Sequence, residues 1–183
     1  LLMRVANLDL SLGRFDEALR VYDASLTVLR EAGNRRFEAL VHQNRGLAFM
    51  EQGQIEVARQ SFREALAVHR EVGNRSSEGG ALARLGGLDL RIGRLDEAAS
   101  WFARALAVYR EVANRAGEGA VLNNLGNLSL QRGDGPAAGA WFEAALRVHQ
   151  QVGSRANEGL TLVHLGHVDE LSGRTAEARD RYV

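Results

Sequence analysis

Five glycines spaced 40 residues apart, Gly13, Gly53, Gly93, Gly133 and Gly173, restrict this chain to an array of repeated units. No insertion or deletion interrupts the spacing, and other positions keep step with it. Ala18, Ala58, Ala98, Ala138 and Ala178 lie five residues after each glycine, and an aromatic follows four later: Tyr22, Phe62, Phe102, Phe142 and Tyr182. Three further on stand Ser25, Ala65, Ala105 and Ala145. Eight before each glycine come Val5, Arg45, Leu85, Leu125 and Leu165, each followed by Ala6, Gly46, Gly86, Gly126 or Gly166. The 183 residues hold about four and a half copies. Periods of this length belong to stacked supersecondary units, none of which buries its apolar face alone.

One copy shows the physics. After Gly93, the residues Leu95, Ala98, Phe102, Ala105, Leu106 and Tyr109 recur at intervals of three and four, an amphipathic helix (helix B). Before it, Leu82, Leu85, Leu88, Leu90 and Ile92 build helix A. Gly86 and Ala98 are small where the two must approach, and Phe102 fills the space beside them. Gly93 suits the left-handed residue that ends a helix. Gly33, Gly73 and Gly153 do the same after helix B, with Ala113 the departure. Asn34, Asn74, Asn114 and Ser154 then stand at N-cap positions, and Pro136 falls at the start of a helix, where proline is tolerated. No stretch alternates like a strand. The expected fold is all-α, a helical-hairpin solenoid, in a single array over 1–183 with units of about 1–34, 35–74, 75–114, 115–154 and a truncated 155–183.

Composition narrows the function classes. Basic and acidic residues balance at 23 each, so no net charge draws the chain to nucleic acid. Every basic residue other than histidine is arginine, which removes lysine Schiff bases and the lysine of a phosphate loop. The absence of cysteine removes disulfides and thiolate chemistry, with a cytoplasmic location as the expectation. No apolar run reaches the ~20 residues of a membrane span. The sequence starts at Leu1 and ends on Arg181-Tyr182-Val183, helical in character at both ends, and reads as part of something longer. With no polar capping unit at either end, end-to-end self-association is a further expectation.

Leu85-Gly86, Gly93, Leu95, Ala98, Phe102 and Ala105 resemble the tetratricopeptide repeat (TPR) pattern. The resemblance covers essentially the whole chain and implies a TPR superhelix. Two features depart from it. The period is 40 against a usual 34, and the proline that ends helix B in the family is replaced by Arg30, Arg70, Arg110 and Gln150. The added residues are expected to lengthen helix B by about a turn and a half. The string Glu71-Val72-Gly73-Asn74-Arg75 with Glu78 is similar to the extended repeats of spindle-orientation adaptors and kinesin light chains, and to arrays attached to bacterial signalling proteins. Arginine without lysine, with abundant alanine and glycine, leans toward a GC-rich bacterial source.

The resemblance implies that ligands lie along a concave groove lined by the A helices. The groove candidates are Asn7, Gln43, Asn44, Arg84, Asn123, Asn124, Asn127, His164 and His167. An asparagine offers a carbonyl and an NH₂, so it pairs with both groups of an extended peptide backbone. Alternatively these amides bond between neighbouring A helices. A family clamp for a carboxylate terminus would place Asn7, Asn44 and Arg84 at matching positions, but Met3 and Gly80 stand where it needs lysines. His164 and His167, three apart, have a spacing compatible with a metal but no third ligand opposite, so no metal and no cofactor is expected. His69 and His149 share the position of Leu29 and Tyr109, which argues packing. Arg45, at a leucine position, needs a carboxylate partner or a route to solvent. Trp101 and Trp141 are expected to cover the join between adjacent B helices. Glu38, Glu78, Glu118 and Glu158, four after each N-cap, suit the helix dipole and arginine pairing. Everything polar recurs with the repeat, whereas active sites are singular, so the chain reads as no enzyme. The leading expectation is a scaffold binding a peptide or protein segment, with no nucleic acid and no membrane. A second reading is a sensor or regulatory arm of a larger signalling protein.

Overall fold

The computed structural model describes residues 2–182, and all of its regular structure is helical. Ten helices follow in order: α1 (Leu2–Ser11), α2 (Phe15–Glu31), α3 (Arg35–Glu51), α4 (Ile55–Glu71), α5 (Arg75–Arg91), α6 (Leu95–Glu111), α7 (Arg115–Gln131), α8 (Gly135–Gln151), α9 (Arg155–Leu171) and α10 (Thr175–Tyr182). Odd-numbered helices are A helices and even-numbered ones B helices. From α2 to α9 each is 17 residues long. A and B helices are thus equal, and the added length of the repeat is not placed in helix B alone.

Every turn between helices is closed in the same way. The residue after the C-cap has positive φ, between 64° and 76° at the glycines and 53° at Ala113. Gly33 N–H then bonds to the Arg30 carbonyl at 3.1 Å and Asn34 N–H to the Leu29 carbonyl at 2.8 Å, satisfying carbonyls that the helix end would orphan. Ala113 and Asn114 make the same pair of bonds with a Cβ in the left-handed region. On the far side of the turn, the side chains of Asn34, Asn74 and Asn114 accept from the backbone N–H three residues on. Ser154 makes no such cap bond, whereas Asp134 caps α8 through Ala137 N–H at 2.9 Å. Pro136 is the second residue of α8.

The chain divides into two compact units, Leu1–Leu88 and Asp89–Val183. In the first, Ala6, Ala18, Tyr22, Leu26 and Val41 form one buried cluster, with Met3, Leu10, Val21 and Leu29 against it. In the second, Ala138, Phe142, Leu165 and Val168 do the same, with Leu130 and Leu146. The repeating small residues have a direct cause: a Cβ on Gly46 would stand 2.5 Å from the Phe62 ring, and one on Gly126 2.4 Å from the Phe142 ring. Tyr22, Phe62, Phe102 and Phe142 are all fully buried; the side chain of Tyr182 lies outside the described residues. Val5 departs from its series. It is 47% exposed where Leu85 is fully buried; α1 packs against α2 and α3.

Candidate functional site

The A helices carry the candidate residues, and the two units present them differently. In the first unit the amides bond across helices. Asn7 Oδ1 on α1 accepts from Asn44 Nδ2 on α3 at 2.9 Å and from the hydroxyl of buried Tyr22 at 2.7 Å. Burial pushes the Tyr22 hydroxyl up to about 12 against the lowering effect of its bond to Asn44, so it stays a donor at neutral pH. One residue away, the Gln43 amide meets Arg84 on α5 and, with its oxygen assigned to that side by the donors it faces, accepts from Nε at 3.1 Å and Nη2 at 3.3 Å. Asn7, Asn44, Gln43 and Arg84 therefore form a polar seam across three A helices.

In the second unit, adjacent asparagines on α7 part company. Residues one apart on a helix are not on one face. Asn123 turns inward and is only 8% exposed, donating from Nδ2 to Thr161 Oγ1 on α9 at 3.0 Å and to His149 Nε2 on α8 at 3.3 Å. Thr161 in turn donates to the Asn157 carbonyl at 2.7 Å. Asn123 is thus a structural link and does not line a surface, because its amide is occupied by α8 and α9. Asn124 and Asn127 remain half-exposed, and no hydrogen bond engages their side chains among the described residues. On α9, His164 stacks on the Phe142 ring with centroids 4.9 Å apart. Its burial, and then the neighbouring His167, hold its pKa below the ordinary histidine value. His167 is exposed, 3.9 Å from Glu170. Among the described residues no cluster of three His, Asp or Glu is placed to hold a metal ion, and His164 is committed to an aromatic ring. Leu160 and Val163 of the same helix are each 51% exposed.

The other singled-out residues are structural. Arg45 pairs with Asp23 at 2.9 Å and lies over the Phe49 ring. Trp101 donates its indole N–H to Asp89 at 2.9 Å and so fastens α6 to the end of α5. His69 and His149 are buried to 1% and 0% exposure, and desolvation lowers both pKa values despite Glu78 and Glu158 nearby.

A constellation that sequence reasoning only half identified sits at the first three B-to-A turns. Buried Glu38 receives Arg30 Nε on Oε1 at 2.9 Å, and Arg35 on Oε2. Glu78 is held likewise by Arg70 and Arg75, and Glu118 by Arg110 and Arg115. Burial alone would raise the Glu38 and Glu78 carboxyls. The arginine bonds outweigh it and leave both below the ordinary value. The arginines that stand in place of a helix-ending proline are therefore one jaw of a repeated clamp. The recurrent pairing of arginine eight residues, and again three, before the glutamate was the available signal. A further feature is a hollow of about 480 Å³ beside Gly135, Pro136 and Leu171. Gly135 opens α8 there, where α2, α4 and α6 open with Phe15, Ile55 and Leu95.

A family model described as tetratricopeptide repeat matches residues 1–71, 37–111, 77–134 and 117–183. No curated protein sequence matches the chain. Among solved structures, BtubC (BKLC) from P. vanneervenii is similar at a TM-score of 0.82 with 20% identity, over 96% of this chain and 73% of that one. A Rap protein complexed with Competence and Sporulation Factor gives 0.84 with 15% identity, over 99% of this chain and 52% of that one. A signal-transduction ATPase with numerous domains and a tetratricopeptide repeat sensor, from Pyrococcus horikoshii, gives 0.84 with 16% identity, over 98% of this chain and 28% of that one. At these identities the likeness is one of fold. In the described residues no helix is long and apolar enough to cross a membrane.

Proposed function

Because this chain belongs to the tetratricopeptide-repeat family, we propose that it is a protein-interaction scaffold whose A-helix faces bind an extended peptide or protein segment. The observation that carries the proposal is the pair of open amides on α7: Asn124 and Asn127 are half-exposed with unengaged side chains, one helical turn apart. Each amide offers one acceptor and two donors, the complement of a peptide unit in extended chain. Exposed Leu160 and Val163, with His164 and His167, supply apolar and ionisable contacts on α9. The seam of Asn7, Gln43, Asn44 and Arg84 is a second, more rigid surface on the first unit. The complex of the Rap protein with Competence and Sporulation Factor lends the reading support by analogy of fold.

The test is a panel of peptides selected from a random library for binding to the wild-type chain. Asn124→Ala with Asn127→Ala should weaken most of them by about tenfold, the loss of one or two net hydrogen bonds. Asn123 is left intact, since its removal would disturb folding. Undiminished binding by the double variant would place recognition elsewhere.

A further inference from the structure

The fourth B-to-A turn lacks one jaw of its clamp, and the other turns show what is missing. At Glu38, Glu78 and Glu118, Oε1 accepts a guanidinium Nε at 2.9, 2.8 and 2.9 Å, from Arg30, Arg70 and Arg110. At Glu158 the corresponding residue is Gln150, which makes no bond to it. Among the described residues only Arg155 reaches the carboxylate, through Nη1 to Oε2 at 3.1 Å, and its side chain is 90% exposed against 38–44% for Arg35, Arg75 and Arg115. The Glu158 side chain is 12% exposed, where those of Glu38, Glu78 and Glu118 are 3%, 4% and 6%. The missing arginine thus leaves an opening over a carboxylate that is still almost wholly buried.

The geometry points to Glu158 as a binding site for a guanidinium group brought by a partner, most simply an arginine side chain of a protein segment. A buried carboxylate with one exposed cation beside it is poorly compensated. The free Oε1 faces the place that three internal copies fill with the same planar donor. A guanidinium suits that place better than an ammonium, because it presents fixed in-plane N–H groups to a carboxylate edge. The ion pair would form at the turn between α8 and α9, so it does not rest on the A-helix face.

The test uses the 183-residue chain with its glutamates ¹³C-labelled, titrated with N-acetyl-arginine amide at constant ionic strength. A saturable shift of the Glu158 carboxyl carbon is expected in the millimolar range, with Glu38, Glu78 and Glu118 unmoved as internal controls. N-acetyl-lysine amide should bind several-fold more weakly, and the uncharged N-acetyl-citrulline amide not at all. Gln150→Arg, which supplies the guanidinium from within, should abolish the response while the protein stays folded. A non-saturating shift, equal shifts at all four glutamates, or undiminished binding by Gln150→Arg would each overturn the assignment.

Discussion

The two units are built from one repeat, yet their polar groups end in different states. In Leu1–Leu88 the A-helix amides and the clamp glutamates are engaged internally: Asn44 bonds Asn7, Gln43 faces Arg84, and both buried glutamates are gripped by two arginines. In Asp89–Val183 one glutamate keeps its double clamp and the other loses a jaw, Asn123 is drawn into a buried network, and Asn124 and Asn127 stay open. The difference teaches that departures from the repeat are where this fold leaves hydrogen-bonding capacity for a ligand. The shared positions hold the stack together. The unshared ones leave it something to bind with.

The contrast should vanish in the apolar core. Leu85→Ala and Leu125→Ala remove leucines of 0% and 8% exposure from equivalent positions, one in each unit, and each should cost about 2–5 kcal/mol. A cost below about 0.5 kcal/mol at either, by urea denaturation, would mean that the helix A core does not repeat. It should reappear in the clamps. Glu38→Gln breaks charge-assisted bonds to two arginines and should cost about 2–3 kcal/mol, whereas Glu158→Gln breaks one to an exposed arginine and should cost about 1 kcal/mol or less. Equal losses would dissolve the distinction.

Acid should act on the same groups. The Glu38 and Glu78 carboxyls sit below their unfolded value, so the stability they contribute is present above that value and is lost as pH falls through the folded one. The buried histidines act earlier. Folded His69 and His149 take up a proton less readily than at the ordinary 6.5, so the unfolded chain binds more protons and stability declines once pH drops below about 6.5. His69→Leu, which installs the residue of the first copy, should flatten that decline below about pH 6.5; an unchanged slope would remove His69 from the account. The smallest effect belongs to the one irregular turn. Ala113→Gly relieves a left-handed alanine and should add about 0.5–1 kcal/mol, read as a higher melting temperature.

Most of the fold was legible because each constraint is local. A glycine at positive φ, an asparagine before a helix and a small residue facing an aromatic are properties of single positions repeated at one spacing. The exceptions needed packing that the sequence does not state. Asn123 and Asn124 look interchangeable in sequence, and only the placement of Thr161 and His149 decides which one is buried. Val5 belongs to an inward series by spacing and is exposed. The glutamates were legible as arginine partners. That two arginines meet one buried carboxylate depends on how helix B hands over to the next helix A. The spacing of the two tryptophans suggested a joint between B helices, but it could not show that the Trp101 indole bonds Asp89 on an A helix.

The central claim, that the open amides of the second unit receive a peptide backbone, is tested most directly on the amides themselves. In ¹⁵N-labelled protein the side-chain NH₂ resonances of Asn124 and Asn127 can be followed as a selected peptide is added. The account predicts that both shift and gain exchange protection, while the NH₂ of Asn123, already bonded to Thr161, keeps its position. A peptide that binds with full affinity and leaves both the Asn124 and Asn127 resonances unmoved would contradict it.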